Sequence, residues 1–281
     1  MNIGLVLGGG GARGLAHIGA LRAIDEHGLK PIAISACSMG AIIGAAYASG
    51  HNPREIYEIV DSISYSQVLS FGEKGGLLGS KGLAKILKKH LPAKFEDLNI
   101  PLEVTTVDVQ NGSLVILRSG DLITALTATS ALPGILSPVN YMGKYLVDGG
   151  LINGLPVDII RTMTLAPVVA IDVAAPPNRE LSFETQKPSM IEQFSRMVKE
   201  RKLPFEKLFK RGLTIELFMK SYDIPQKIIT DMRLSLHPPE LLIRPRLDNQ
   251  FGIEDFEKLE QAFVLGYQET SERLDNWTYS K

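Results

Sequence analysis

Short apolar runs alternate along this chain with stretches whose apolar residues recur every three or four positions. Residues 3–7 read as a buried strand, and residues 14–27 as a helix with Leu15, Ile18, Leu21 and Ile24 on one face. Residues 32–36 form a second apolar run, leading into a small-residue helix over 41–49. Pro53 stands where proline favours a helix start, ahead of 55–60, and Ser80 is expected to cap a helix over 81–90. Runs rich in β-formers at 102–109 and 113–117 flank Asn111-Gly112, a strong hairpin signal. Asp121 opens a helix to Ser130 that Pro133-Gly134 closes. A tight hairpin over 141–145 then runs into Leu146-Val147-Asp148-Gly149-Gly150, and a last apolar strand spans 168–173. Strands alternating with helices predict an α/β fold, with a mostly parallel sheet covered on both faces.

The texture changes after Pro176-Pro177. Between 187 and 220 stand nine Lys/Arg against four Asp/Glu, a net charge of +5, among many large apolar residues. Phe205, Leu208 and Phe209 with Lys207, Lys210 and Arg211 suit a short basic amphipathic helix. Two readings stay open: a lid or an interface between two copies of the chain, and a helix lying in an anionic membrane surface. Residues 241–243 can return to the sheet. Residues 253–274 predict a terminal helix with Ile253, Phe256, Leu259, Phe263 and Tyr267 on its buried stripe.

The chain has 281 residues, 44% hydrophobic and 22% charged, which suits a soluble globular fold large enough for a sizeable core. A net charge of −1 argues against a general nucleic-acid binder. The single cysteine, Cys37, excludes an internal disulfide framework and a cysteine-based metal cluster; it is expected to fill space. No basic, apolar leader opens the sequence and no apolar run nears the roughly 20 residues that cross a bilayer, so a cytoplasmic protein is expected.

Candidate chemistry begins at Ile34-Ser35-Ala36-Cys37-Ser38-Met39-Gly40, where an apolar strand meets a helix with Ser38 at the corner. A nucleophile elbow has this layout, holding a serine oxygen at a helix N-terminus where a developing negative charge is favoured. The first glycine of G-x-S-x-G is replaced by Ala36, whose methyl is expected to narrow the elbow or crowd the substrate. Taken alone, a serine opening a buried helix is more often a plain helix cap.

Gly8-Gly9-Gly10-Gly11-Ala12-Arg13-Gly14 follows the first strand. It satisfies G-x-G-x-x-G, but the second strand ends in Cys37-Ser38 rather than the acidic residue a dinucleotide site requires, and no G-K-[ST] follows for a P-loop. Side-chain-free backbone can present N–H groups to an oxyanion, and strand order brings the loop beside Ser38. Arg13 either belongs to that anion cradle or braces the loop by binding its carbonyls.

The serine needs a proton acceptor. Of five histidines, His17, His27, His51 and His90 suit packing, dipole or loop roles, and only His237 comes late enough for the Ser–Asp–His order of α/β-hydrolases. Asp148 ends an apolar strand before two glycines and has no neighbouring cation in sequence, which makes a Ser–Asp dyad the economical pairing.

These three pieces in this order resemble the patatin-like phospholipase family, through Gly-Gly-Gly-Gly-Ala-Arg-Gly-Leu-Ala-His-Ile-Gly at 8–19, Cys-Ser-Met-Gly-Ala at 37–41 and Val-Asp-Gly-Gly at 147–150. Further matches are Thr129 to Gly134, the hairpin at Asn111-Gly112, and Asn153-Gly154-Leu155-Pro156. The resemblance implies a three-layer α/β/α sandwich with a helical C-terminal segment, and lipid acyl hydrolysis without metal or cofactor. Carried over, Ser38 is the nucleophile and Asp148 its base. Gly9, Gly10 and Gly11 form the oxyanion hole, Arg13 and Gly14 support that loop, and Ala36, Met39 and Gly40 shape the elbow. The expected organisation is a catalytic core over 1–175, a lid or interface segment over 176–240, and a strand and helix over 241–281 completing the core. The expected partner is a lipid or ester substrate; an acyltransferase, or a weakly catalytic lipid-binding module, is the alternative.

Overall fold

A computed structural model describes residues 1–63, 70–71, 76–174, 213–247, 251–252 and 255–278. Apolar strands and amphipathic helices alternate, as the pattern demands. They are β1 (Asn2–Leu7), α1 (Ala16–Glu26), β2 (Lys30–Ala36), α2 (Ser38–Ala48), α3 (Pro53–Asp61), β3 (Ser70–Phe71), β4 (Gly76–Gly79), α4 (Lys81–His90), β5 (Leu102–Asp108) and β6 (Ser113–Leu117). After these come α5 (Leu122–Thr129), β7 (Gly134–Leu136), β8 (Val139–Tyr141), β9 (Lys144–Asp148), α6 (Gly150–Asn153), α7 (Val157–Met163), β10 (Val168–Ile171), α8 (Leu213–Leu236), β11 (Leu241–Ile243) and α9 (Leu259–Asp275).

The main sheet runs β11-β10-β1-β2-β5-β9-β8, with β6 also paired to β5. Its first five strands are parallel; β6, β9 and β8 join antiparallel. Side chains alternate across it. Ile3, Leu5, Leu7 and Ile34 point into a large core with α1, α2, α5 and α9, whereas Val6, Ala33, Val168 and Ala170 meet Leu155, Val157 and Ile160 of the α7 layer. Two cores on opposite faces of one sheet make a three-layer α/β/α sandwich.

Several boundaries differ from the sequence pattern, each for a local reason. The first helix does not begin at Gly14: a 3-10 turn over Gly11–Leu15 precedes α1, because the glycine loop sets its entry. The second begins at Ser38 itself, three residues before the small-residue run suggests. Ser80 makes no side-chain capping bond, while Asn52 closes a full capping box with Glu55 and Asp121 caps α5 through the Thr124 N–H. The β10 strand stops at Ile171, two residues early.

In α9 the buried stripe runs through Leu259, Ala262, Gly266, Thr270 and Leu274, while Phe263 is only partly buried. Small residues win that face because α1 and α9 approach backbone to backbone. A methyl on Gly19 would strike the Phe263 carbonyl, and one on Gly266 would strike that of Ala16. Ile253, placed on this stripe by the pattern, lies outside the described residues, as does most of the 187–220 basic segment.

Candidate active site

The site forms where β1 and β2 end side by side, with Leu7 opposite Ala36. Beyond β2, Cys37 is extended and Ser38 turns into the left-handed region at φ 51°, then α2 begins at once. For a non-glycine residue this backbone is strained, and the surroundings must hold it. The Thr129 hydroxyl accepts the Ser38 N–H at 2.9 Å and donates to the Thr105 carbonyl at 2.7 Å, fastening the corner to α5 and β5. Gly40 permits the turn, since any side chain there would collide with the Leu7 carbonyl. Ala36 is fully buried, its methyl beneath α2 near Gly44. The extra carbon therefore sits in the core rather than in the mouth of the elbow.

The glycine loop lies directly against this corner. A methyl added to Gly9 would come within 3.3 Å of the Ser38 Cβ, and one on Gly10 within 2.8 Å of the Val173 carbonyl. The Gly9 N–H is already committed, donating to the Gly154 carbonyl at 2.9 Å. The Gly10 and Gly11 N–H groups precede the first bond of the 3-10 turn, Arg13 N–H to Gly10 carbonyl at 3.2 Å. Gly11, at φ 57°, takes the left-handed backbone that starts that turn. Gly14 packs against the Met39 side chain.

Asp148 closes the site from the end of β9. Its carboxylate is buried, accepts hydrogen bonds from Ser38 and from the Gly150 N–H at 2.8 Å, and receives the Cys37 thiol at 3.5 Å. Burial pushes the carboxyl above its ordinary range, against the pull of these bonds. Cys37 does more than fill space: it donates to the same carboxylate, and burial holds its thiol well above the usual value. Asp148 can sit here because Gly149 lets the chain press on β5, where a side chain would collide with the Thr105 carbonyl.

Two buried basic side chains lie at the glycine loop. His17, one turn into α1, donates its Nε2 hydrogen to the Gly8 carbonyl at 2.8 Å. Arg13, also buried, lies 3.9 Å from Asp223 of α8. Sequence reasoning gave His17 only a packing role and met Thr129 only within the match over 129–134, with no partner for either. A histidine nine residues after the first glycine, and a threonine ending a helix, carry no local signal of what they bind. His237 is exposed at the end of α8. No group of three or more His, Cys, Asp or Glu side chains able to hold a metal occurs among the described residues. Nor is any described helix long and apolar enough to cross a membrane.

A serine elbow, a glycine loop and a buried aspartate at one edge of an α/β/α sandwich define a class of its own. Residues 5–161 match the family described as patatin-like phospholipase, and the chain belongs to that family. It is 34% identical over 190 residues to patatin-like phospholipase domain-containing protein 6 of Mus musculus, covering 64% of this chain and 14% of that one. It is 24% identical over 296 residues to lysophospholipase NTE1 of Meyerozyma guilliermondii, covering 99% of this chain and 20% of that protein. The chain thus spans a small part of these longer relatives. Among solved structures, VipD from Legionella pneumophila aligns with a TM-score of 0.48 at 14% identity, over 97% of this chain and 66% of that one.

Burial lowers the His17 pKa from 6.5 to about 4, since an imidazolium there would be desolvated. The folded state therefore favours the neutral ring. The stability this provides is complete above the unfolded value of 6.5 and is lost as pH falls toward about 4. Urea denaturation is expected to show that acid loss in the native protein and a flatter profile in His17→Gln, whose amide can still donate to Gly8. An unchanged slope would contradict this role of His17.

Proposed function

We propose that the protein is a serine lipid acyl hydrolase working through a Ser38–Asp148 dyad. One observation carries the reading: a serine in strained left-handed backbone hydrogen-bonds a buried carboxylate beside a loop of unsubstituted backbone. Family membership and the lysophospholipase name of one relative support a lipid ester as substrate.

In this mechanism Asp148 takes the Ser38 proton as Oγ attacks the ester carbonyl. The Gly10 and Gly11 N–H groups receive the oxyanion, while Gly9 fixes the loop through Gly154. Collapse expels the alcohol, which takes the proton from Asp148. A water then gives a proton to Asp148 and attacks the acyl carbon, and Ser38 leaves with that proton. Arg13, Gly14 and His17 keep the loop in position, and Met39 and Gly40 shape the elbow. A carboxylate already raised by burial is a better base than a surface aspartate. The aspartate must be ionised to act, so activity falls on the acid side.

Steady-state assays with a p-nitrophenyl ester chain-length series test the dyad. Ser38→Ala and Asp148→Asn are each expected to lose at least about 10³-fold in kcat, and His237→Ala to stay near the unaltered protein. Turnover surviving in Asp148→Asn, or vanishing in His237→Ala, would overturn it. Including an alcohol acceptor shows whether the acyl group passes to water or to alcohol, which separates hydrolase from transferase.

The substrate is expected to be met at a lipid surface. The 187–220 segment carries the +5 charge, and α8, which continues it, exposes Ile224, Ile228, Met232 and Leu236 at four-residue spacing. Flotation with anionic liposomes should carry the protein upward, and with neutral liposomes less so. Absence of flotation in both would leave the segment as a lid or an interface between copies.

A further inference from the structure

The proposed chemistry uses nothing from α8, yet this helix reaches the dyad. Arg233 donates to the Ile152 carbonyl at 3.0 Å and pairs with Asp158 at 2.9 Å, seating α8 across α6. The middle of the helix then brings Tyr222 and Gln226 to the glycine-rich wall of the site and Asp223 toward Arg13. A methyl placed on Gly150 would stand 2.6 Å from the Tyr222 hydroxyl, 2.7 Å from the Gln226 amide nitrogen and 3.1 Å from Asp148 Oδ1. Only because residue 150 is glycine can these three polar groups converge. The Tyr222 hydroxyl is buried and has no hydrogen-bond partner among the described residues, although the rest of its residue is partly open to solvent. A buried hydroxyl left without a partner is costly, so a position beside the general base calls for an incoming partner.

We propose that Tyr222 is a further catalytic residue, its hydroxyl oxygen holding the water that attacks the acyl-enzyme. This rests on the hydrolase reading above. Asp148 takes one hydrogen of that water as a proton, and Tyr222 Oη accepts the other as a hydrogen bond. The oxygen lone pair is then aimed at the acyl carbon; the new C–O bond forms, the carbonyl reforms and Ser38 Oγ departs with the proton from Asp148. The phenol stays protonated throughout, since burial, helped by the nearby Asp148, Cys37 and Asp223, holds it well above its ordinary value. A helix that brings a polar group to the base suits a role in the second half of the reaction.

Tyr222→Phe keeps the ring and removes the hydroxyl. With a p-nitrophenyl ester, whose leaving group needs no proton, acylation is expected to persist and deacylation to slow. That predicts kcat and KM falling together by about 10-fold or more, with kcat/KM unchanged. Intact mass spectrometry of samples quenched during turnover should then show more acylated Ser38 than in the unaltered protein. The thermal midpoint should stay the same or rise, since the lost hydroxyl had no partner. An unchanged kcat, or a fall in kcat/KM with a lower midpoint and no added adduct, would overturn the role of Tyr222. Failure of the hydrolase reading would look different: no Ser38-dependent turnover even before Tyr222 is altered.

Discussion

The register that sets Leu7 opposite Ala36 is the constraint on which the rest of the site depends. Two parallel strands ending level deliver the glycine loop and the serine corner to one point on the sheet edge. Their backbones can then meet only if side chains are missing. Gly9 against Ser38, Gly10 against Val173 and Gly40 against Leu7 are the places where a β-carbon would force them apart. The same condition recurs at Gly149 and Gly150, which bring Asp148 to the corner from the antiparallel side. Close backbone approach thus links sheet geometry to chemistry.

Electrostatics at that point is organised by burial rather than by ion pairs. Asp148 is buried, and the groups that donate to it are a hydroxyl, a backbone N–H and a thiol. These stabilise its charge only in part, which leaves it more basic than an exposed carboxylate. The loop's basic residues stand behind it: Arg13 toward Asp223, and a neutral His17 on the Gly8 carbonyl. The His17 bond ties α1 to the loop, and in the proposed mechanism the N–H groups of Gly10 and Gly11 serve the oxyanion. Commitment of the Gly9 N–H to Gly154 sets that glycine apart from the other two of the loop.

Much of this was legible in the sequence, because alternating apolar runs, hairpin dipeptides and glycine clusters are local signals. The sheet, the α/β class and the meeting of glycine loop, Ser38 and Asp148 follow from them. Less legible were features that depend on distant partners. Ala36 could be judged only as a departure from a pattern; the fold buries its methyl under α2. Tyr222 reaches Asp148 from 74 residues away in sequence, on a helix whose pattern suggests only amphipathicity. The close packing of α1 on α9 likewise put small residues on a face that hydrophobic periodicity assigns to large ones.

The most direct test of the central pairing is covalent. A long-chain alkyl fluorophosphonate reacts with an activated serine, losing fluoride and leaving a phosphonyl adduct on its oxygen. Intact mass and peptide mapping across pH should find one adduct, on Ser38, forming faster as Asp148 ionises, and sharply slowed in Asp148→Asn. Labelling at another residue, or at Ser38 with a rate indifferent to pH and to Asp148→Asn, would contradict the account.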